Sequence, residues 1–364
     1  MSTEEKKSIA LIELSRGHHE CLYAQSLFLQ RSGYEVFLVT PAATKNLVEA
    51  FDTIKDQFFH RLGKSRLKNI FQFRQIMAWL KEYGIEEIII NTAQGSQCRD
   101  FVWWAKKKQL YGVLHGVHRL QQSRTQQWIS KYIKKYFVLN DYILHVLPAV
   151  EVRRFHVASF YPIFFPPQIS AVIEKPDDEF WVCIPGQVEF KRRDYATLLQ
   201  QIDSNLNPKI KFILLGQAFH AHGDGERLQQ GLREKNLLSR FKFFTEYVSG
   251  AVFKAYAENS DLVLPLIHPS KDYLQNYLSQ QISGSFNIAF AYAKPMLLDK
   301  VFSQFDDFRT SSRFYEKTDL QHQLNNCVQQ VDELKRLSQS IKAYEKFGLD
   351  YQARHYVEHL CSAT

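Results

Sequence analysis

Apolar runs alternate with segments of helical spacing along this chain, and that alternation constrains the fold more than any other feature. The first run, residues 8–14 (SIALIEL), is continuously apolar, as expected for a strand that helices cover on both faces. A polar loop follows, and then a segment of helical spacing that ends at Gly33. The next run is residues 34–40 (YEVFLVT). This order predicts a βαβ unit and therefore a parallel sheet.

The same alternation recurs in two halves of the sequence. Up to residue 140 it predicts five parallel strands with helices on both faces, which is a Rossmann-like domain. Residues 155–170 contain three prolines and predict a linker or a last edge element. Alternation resumes over residues 179–299, and the tail over 320–360 is helical in pattern. We therefore expect an α/β protein with two Rossmann-like domains.

Composition limits the classes of protein that fit. A chain of 364 residues with 45% hydrophobic and 23% charged residues suits two globular domains and excludes disorder. No apolar run approaches the roughly 18 residues of a membrane helix, and the first residues do not predict a signal peptide. The five cysteines are scattered and odd in number, which predicts neither a disulfide framework nor a metal site. We expect a cytoplasmic protein.

The positive charge is concentrated in the first half of the sequence. Residues 1–170 contain 23 Lys and Arg against 14 Asp and Glu, which is a net charge of +9. The remaining residues carry a net charge of −1, so the whole chain carries +8. Basic runs flanked by aromatic residues lie at 61–74, 106–108 and 131–135. These segments are either solvated helix faces or a surface for an anionic membrane. No nucleic-acid motif accompanies them, so we expect no nucleic-acid partner.

Neither half has G-x-G-x-x-G in its first loop, which disfavours a dinucleotide-dependent dehydrogenase. Three segments of the second half, 183–199 (CIPGQVEFKRRDYATLL), 241–266 and 279–298 (SQQISGSFNIAFAYAKPMLL), resemble in order the nucleotide-sugar glycosyltransferases of the GT-B fold. They are most similar to the large retaining group. In the first half, residues 12–20 (IELSRGHHE) resemble the family's loop after the first strand, and residues 112–120 (GVLHGVHRL) resemble its strand ending in a donor-facing His.

The resemblance implies two Rossmann-like domains that face a cleft, with C-terminal helices that return to the N-terminal domain. It divides the chain into an acceptor-binding domain (1–165), a nucleotide-sugar-binding domain (166–335) and helices that pack back on the first domain (336–364). It implies transfer of a hexose-like sugar from a UDP- or GDP-linked donor to a glycan or lipid-linked acceptor. Neither a further cofactor nor a metal ion is implied, because helix ends and basic side chains neutralise the diphosphate in this family.

The candidate site residues come from these motifs and from local chemistry. Small residues at the start of an apolar helix leave its backbone N–H groups open to a phosphate, so we expect a diphosphate site at Ser283–Gly284–Ser285. His115 is the predicted donor-facing residue, and His18 and His19 are candidate bases in the first loop. The other donor-binding candidates are Gly186, Lys191, Arg192 and Tyr247, and the acceptor-binding candidates are Arg16, Gly17 and His118.

Three positions depart from the family pattern. The family's paired glutamates would fall at Gln280 and Ile288, and its arginine after the first glycine of the second domain would fall at Gln187. The phosphate and ribose contacts must then be rebuilt from other residues, or catalysis has been lost. Two alternatives to a transferase therefore stay open: a catalytically inactive GT-B-like subunit that binds sugar or a partner protein, and a nucleotide-sugar 2-epimerase.

Overall fold

The computed structural model describes residues 7–220, 223–268 and 274–363, without the side chains of Gln121 and Gln122. The chain forms two compact units. The N-terminal unit contains the residues up to Pro166 together with those from Gly348 onward, and the C-terminal unit is Pro167–Phe347. Among the described residues, no helix is both long and apolar enough to cross a membrane.

The N-terminal unit is built on a seven-stranded parallel sheet in the order β3-β2-β1-β4-β5-β6-β7. Its central strands are buried on both faces, which explains their continuous apolar sequence. The strands are β1 (Ser8–Ile12), β2 (Glu35–Pro41), β3 (Asp56–His60), β4 (Glu87–Ile90), β5 (Gln109–Leu114), β6 (Ile133–Leu139) and β7 (Val157–Phe160). The helices between them are α1 (Leu22–Arg31), α2 (Lys45–Val48), α3 (Arg66–Glu82), α4 (Gly95–Trp104), α5 (Arg119–Gln122), α6 (Arg124–Ile129), α7 (Asp141–Val146) and α8 (Ala149–Arg154).

The C-terminal unit is built on a six-stranded parallel sheet in the order β10-β9-β8-β11-β12-β13. The strands are β8 (Phe180–Pro185), β9 (Ile210–Gln217), β10 (Phe241–Phe244), β11 (Leu262–Val263), β12 (Met296–Asp299) and β13 (Ser312–Tyr315). The helices are α9 (Tyr195–Gln201), α10 (Asp224–Glu234), α11 (Gly250–Asn259), α12 (Asn276–Ser279), α13 (Gly284–Ala291), α14 (Asp306–Arg309), α15 (Leu320–Gln329) and α16 (Val331–Ala343). Both sheets confirm the predicted α/β class.

The last helix, α17 (Leu349–Cys361), belongs to the N-terminal unit. Its Tyr356 is fully buried and stacks on Phe137 of β6, with 4.2 Å between the ring centroids. The return of the chain therefore occurs at Gly348, later than the boundary predicted at residue 336. The reason is that α16 packs within the C-terminal unit, where Ser338 Oγ donates a hydrogen bond to the carbonyl oxygen of Ala293 at 2.7 Å.

The structure has strands that the apolar runs of the sequence did not predict. The additional strands are β3 and β7 in the N-terminal unit and β13 in the C-terminal unit. β3 and β13 are edge strands with half-exposed residues, so their sequences lack a continuous apolar run. β7 lies within the proline-bearing segment that predicted a linker or an edge element, and it is the edge strand of that sheet.

Candidate functional site

The first turn of α13 presents open backbone amides in the C-terminal unit. Ser283 is the N-cap residue, and its hydroxyl accepts a hydrogen bond from the Ser285 backbone N–H at 3.4 Å. Gly284 begins the helix, and a β-carbon built there would have no heavy atom within 4 Å. The helix start therefore faces open space, with the partial positive charge that such an end carries.

Arg193 lies beside this helix start. Its side chain is buried, and its Nη2 donates a hydrogen bond to Ser285 Oγ at 3.0 Å. The Arg193 Nε has no hydrogen-bond partner, and no described carboxylate lies within 4 Å of the guanidinium. A buried cation without a counter-ion is costly unless an anion reaches it. Arg193 therefore adds its charge to the partial positive charge at the start of α13.

A buried cluster fixes the backbone next to Arg193. Asp194 caps α9 by accepting a hydrogen bond from Thr197 N at 3.0 Å, and it also accepts one from His268 Nδ1 at 2.9 Å. The Tyr315 hydroxyl lies 2.7 Å from His268 Nε2. Burial alone would raise the pKa of Asp194, but the hydrogen bonds from His268 and Thr197 hold that pKa well below its usual range. Asp194 is therefore charged at neutral pH, and its hydrogen bonds fix the start of α9, which directly follows Arg193.

Two glycines make room for the guanidinium. Gly186, at the end of β8, has a left-handed φ of 97°, and a β-carbon there would lie 2.8 Å from Arg193 Nη2. A β-carbon on Gly216 of β9 would lie 2.3 Å from the carbonyl carbon of Gly186. Larger residues at either position would displace the loop that follows β8. The two glycines therefore allow Arg193 to lie against the sheet edge.

The predicted donor-binding residues divide into two groups in the structure. Gly186 and Ser283–Gly284–Ser285 lie around Arg193, as the preceding distances show. Lys191 is exposed, and Arg192 is exposed and forms an ion pair with Glu189 at 2.9 Å. Tyr247 is 76% exposed in the loop before α11. Arg193 was not among the predicted residues. The sequence pattern Asp194-x-x-Thr197 could have indicated Arg193, because an N-cap at Asp194 places the residue before it at the buried start of a helix.

In the N-terminal unit, His115 follows the end of β5 and is half-buried. Its Nε2 donates a hydrogen bond to the backbone carbonyl oxygen of Asn91 at 2.7 Å, so its Nδ1 carries the lone pair. The ring stacks on His18, with 3.7 Å between centroids and an angle of 18°. Burial and the charge of His18 lower the pKa of His115 to about 3. His115 is therefore a neutral hydrogen-bond acceptor at physiological pH.

The side chain of Asn91 connects the loops around His115. Its Nδ2 donates to Glu13 Oε2 at 2.7 Å and to the carbonyl oxygen of His18 at 2.8 Å, while its Oδ1 accepts from Gln25 Nε2 at 2.6 Å. Glu13 also accepts hydrogen bonds from Ser15 N and Thr92 Oγ1, each at 2.6 Å. Burial raises the pKa of Glu13 although these bonds lower it. Glu13 and Asn91 were not among the predicted residues.

The predicted residues His18 and His19 lie between β1 and α1. His18 has a left-handed φ of 62°, and its Nδ1 lies 3.5 Å from Glu20 Oε1. His19 is half-buried, and its Nδ1 lies 3.9 Å from Glu20 Oε2 without a hydrogen-bond partner.

Arg16 and Gly17 are exposed, and the Gly17 N–H donates to Ser15 Oγ at 3.3 Å. His118 is exposed, and partial burial together with Arg119 lowers its pKa. Within the described ranges, no group of three or more His, Cys, Asp or Glu side chains is arranged to hold a metal ion.

Comparison with known proteins gives no match to a family model and none to a curated protein sequence. Solved structures do match. A glycosyltransferase from Rickettsia africae superposes with a TM-score of 0.72 at 11% identity, covering 99% of this chain and 100% of that one. HepE from Anabaena, in complex with UDP, has a TM-score of 0.66 at 15% identity, covering 98% of this chain and 100% of that one. The chain has the GT-B fold.

The GT-B fold also includes enzymes that do not transfer sugars. The UDP-GlcNAc 2-epimerase from Methanocaldococcus jannaschii matches with a TM-score of 0.61 at 12% identity, covering 97% of this chain and 99% of that one. All three identities are 15% or lower, so the similarity lies in the course of the backbone. The chemistry has to be inferred from the side chains.

Proposed function

We propose that this protein is a glycosyltransferase that moves a hexose-like sugar from a nucleoside diphosphate donor, of UDP or GDP type, to a glycan or lipid-linked acceptor. The synthesis of a surface polysaccharide or glycoconjugate is the process that such a reaction would serve. One observation carries the proposal: Arg193 is buried without a counter-ion beside the open start of α13. The UDP bound to HepE, which has the same fold, supports a nucleotide as the anion.

Stabilisation of the departing diphosphate is the main task of the C-terminal unit. The acceptor hydroxyl attacks the anomeric carbon while the bond from that carbon to the diphosphate oxygen breaks, and the hydroxyl proton passes to the diphosphate. The N–H group of Gly284, the Ser283 hydroxyl and the Arg193 guanidinium then face the charge that develops. Because these groups provide fixed positive charge, we propose that the reaction needs no metal ion. If the resemblance to the retaining group holds, no protein nucleophile is needed either.

We assign His115 to the sugar that is transferred. Its Nδ1 lone pair is available to accept a hydrogen bond from a sugar hydroxyl, because Nε2 is already bound to Asn91. His18 fixes the ring by stacking. In an inverting enzyme the attack would instead need a base, and His18 and His19 are then the candidates. Arg16, Gly17 and His118 remain the proposed acceptor contacts.

The cytoplasm suits this chemistry. All five cysteines are free, and a reducing compartment keeps them so. The surplus of positive charge in residues 1–170 supports peripheral association with an anionic membrane.

Two other functions have an observation in their favour. The absence of acidic residues at Gln280 and Ile288 favours a catalytically inactive subunit that binds sugar or a partner. The match to a 2-epimerase favours epimerisation of the nucleotide sugar. Donor hydrolysis separates these functions, because transferases hydrolyse their donor slowly and an inactive subunit does not. An epimerase would instead convert the sugar while it leaves the nucleotide sugar otherwise intact.

The anion site is tested by Gly284→Val. The substitution should leave the fold intact, because no heavy atom lies within 4 Å of the added β-carbon. It should weaken UDP or GDP binding sharply and binding of the nucleoside alone only slightly, because the added methyl groups keep phosphate from the helix amides. Arg193→Gln should cost about tenfold or more in diphosphate affinity. Calorimetric titration of the wild type and both variants measures these affinities.

Arg233→Gln, at an exposed position on α10, is the matched control and should bind like the wild type. An equal loss of nucleoside and diphosphate affinity in Gly284→Val, or no nucleotide binding by the wild type, would show that the assignment is wrong. Incubation with a mixture of nucleotide sugars, followed by product analysis, then identifies the reaction.

A further inference from the structure

A large basic pocket lies in the N-terminal unit, where β1 to β4 end. Its volume is about 1020 Å³, and the segments that follow these four strands line it. Five cations and one carboxylate are among the lining residues. The carboxylate, Asp100, is neutralised by Arg99 at 2.6 Å. The pocket therefore carries a surplus of positive charge.

Four of these cations have no counter-ion. Arg16, Arg61, Lys64 and Arg66 lie more than 4 Å from every carboxylate in the part of the chain that the structure describes. Such a cluster concentrates anions, and guanidinium groups match the geometry of phosphate oxygens. The number of unpaired cations fits a phosphate or a diphosphate better than a single carboxylate.

The loop that carries two of these cations is held in place. Asn69 is buried, and its side chain donates to the carbonyl oxygen of Gly63 and accepts from the Gly63 N–H, both at 2.9 Å. The backbone N–H of Arg61 donates to Gln72 Oε1 at 2.8 Å. The loop between β3 and α3 is thus anchored to α3, which lowers the entropic cost of binding an anion there.

A second cavity adjoins the basic pocket and is aromatic. Its volume is about 520 Å³, and Arg66, Asn69, Arg99 and Asp100 line both cavities. The other lining residues are Ile70, Phe73, Trp103, Trp104 and Trp128. Leu67 and Phe71 of α3 are 81% and 61% exposed and line a separate cavity with Arg61. A cavity walled by three tryptophans (the tryptophan pocket), on a unit that also exposes apolar side chains, marks a surface that contacts an apolar group.

We propose that the acceptor is a lipid-linked phosphate or diphosphate. Arg16, Arg61, Lys64 and Arg66 bind its phosphate groups, and its apolar chain lies along the tryptophan pocket. A phosphate alone would leave the aromatic cavity unused, and an uncharged lipid would leave four cations unpaired. The inference rests on the proposed transferase function, since it names the acceptor of that reaction.

Farnesyl phosphate, used below its micellar concentration, is the test ligand for the full-length protein. Farnesol and inorganic phosphate represent its two parts. We expect farnesyl phosphate to bind at least about tenfold more tightly than either part, because apolar burial and charge pairing then act together. Calorimetry measures the affinities, and tryptophan fluorescence reports whether Trp103 and Trp128 are contacted.

Variants test the cationic pocket and the tryptophan pocket separately. Arg61→Gln combined with Arg66→Gln should weaken farnesyl phosphate binding by about a hundredfold, which is about tenfold for each cation. Trp103→Ser should weaken farnesyl phosphate binding and leave inorganic phosphate binding unchanged. Lys107→Gln, an exposed lysine on the same unit that does not line either cavity, is the control and should bind like the wild type. All four substituted residues are exposed, so melting temperatures should stay unchanged.

Three results would overturn the inference. Equal affinity for farnesyl phosphate and inorganic phosphate would mean an anionic acceptor without a lipid. Equal affinity for farnesyl phosphate and farnesol would mean that charge has no role. Equal affinity in all variants would mean adsorption elsewhere on the surface. UDP titration of the same samples distinguishes failure of this inference from failure of the proposed function. Binding of UDP without binding of farnesyl phosphate rejects this acceptor alone. Binding of farnesyl phosphate without binding of UDP rejects the proposed function.

Discussion

Asn91 shows how much of the N-terminal site depends on one side chain. Its amide group joins Glu13, His18 and Gln25, and its backbone carbonyl orients His115. Every polar atom of that amide is used, so the loops after β1 and β4 are fixed relative to each other. This arrangement keeps the Nδ1 of His115 available as an acceptor, which is the property that the proposed role needs.

His115→Gln tests that role. We expect turnover to fall while affinity for the nucleoside diphosphate stays near the wild-type value, because His115 is assigned to the sugar. The pH profile of turnover between about pH 5 and 8 should keep its shape, since burial lowers the pKa of His115 to about 3 and its charge does not change in that range. Steady-state kinetics at several pH values check both points. Equal loss of turnover and nucleotide affinity would contradict the assignment.

The same substitution predicts a change in acid stability. In the unfolded chain a histidine takes up a proton below about pH 6.5, whereas His115 in the folded protein stays neutral down to about pH 3. The unfolded state therefore binds more protons in that window, and the free energy of unfolding decreases as the pH falls. His115→Gln removes this contribution. Urea unfolding at about pH 6.5 and pH 4 should show a smaller loss for the variant than for the wild type, and an equal loss would contradict the pKa assignment.

At the residue scale, some members of the candidate site could be proposed from the sequence, and others could not for a physical reason. His115 directly follows an apolar run and Ser283–Gly284–Ser285 directly precede one, so their places at the ends of elements could be predicted. Arg193 was not predicted because the sequence does not distinguish it from its neighbours Lys191 and Arg192. The N-cap at Asp194 determines which of the three is buried. Glu13 and Asn91 were missed because their partnership joins residues 78 positions apart.

At the scale of elements, α17 is attached to the N-terminal unit by packing and by one buried lysine. Lys135 of β6 is buried, and its Nζ donates hydrogen bonds to the carbonyl oxygens of His359 and Leu360 at 2.7 and 2.9 Å, and to that of Ser362. The His359 and Leu360 carbonyls belong to the last turn of α17 and Ser362 is its C-cap residue, so no further helical turn supplies backbone donors to them. A cation at this end also complements the helix dipole.

Lys135→Met should therefore destabilise the protein, because it removes the lysine donor from the buried Leu360 carbonyl and from the Ser362 carbonyl, while the His359 carbonyl keeps the Ser362 hydroxyl as a donor. We expect a loss of about 1–3 kcal/mol in the free energy of unfolding of the transition that includes the N-terminal unit. Lys134→Met is the matched control, since Lys134 is the neighbouring residue and is exposed. It should change stability by less than about 0.5 kcal/mol. Similar losses in the two variants, measured by urea unfolding, would refute the anchoring role.

The elements that the sequence predicted well are those whose burial is complete. β1, β2 and β8 read as continuous apolar runs because helices cover both of their faces. The edge strands β3 and β13 were missed because their partly exposed positions admit charged and polar residues. The periodicity of apolar residues alone does not distinguish such strands from loops. Pairing with β2 identifies β3 as a strand, and pairing with β12 identifies β13.

At the scale of the whole molecule, the two compact units do not correspond to two consecutive halves of the chain. The C-terminal unit is one continuous segment, Pro167–Phe347, whereas the N-terminal unit needs residues from both ends of the chain. The rings of Phe28, Phe137 and Phe160 pack on Tyr356, with centroid distances of 5.6, 4.2 and 5.2 Å. A chain that ends before α17 would expose these rings to water.

Expression of the units as separate fragments tests this organisation. We expect residues 167–347 to unfold cooperatively in urea as an isolated fragment, because its core is complete within that segment. A fragment of residues 1–166 should aggregate or lack a cooperative transition, since the surface that Tyr356 covers is apolar. A peptide of residues 348–364 added in trans should restore a cooperative transition, and the same peptide with Tyr356→Ser should not. A cooperative transition of 1–166 without the peptide would show that α17 is dispensable for the N-terminal unit.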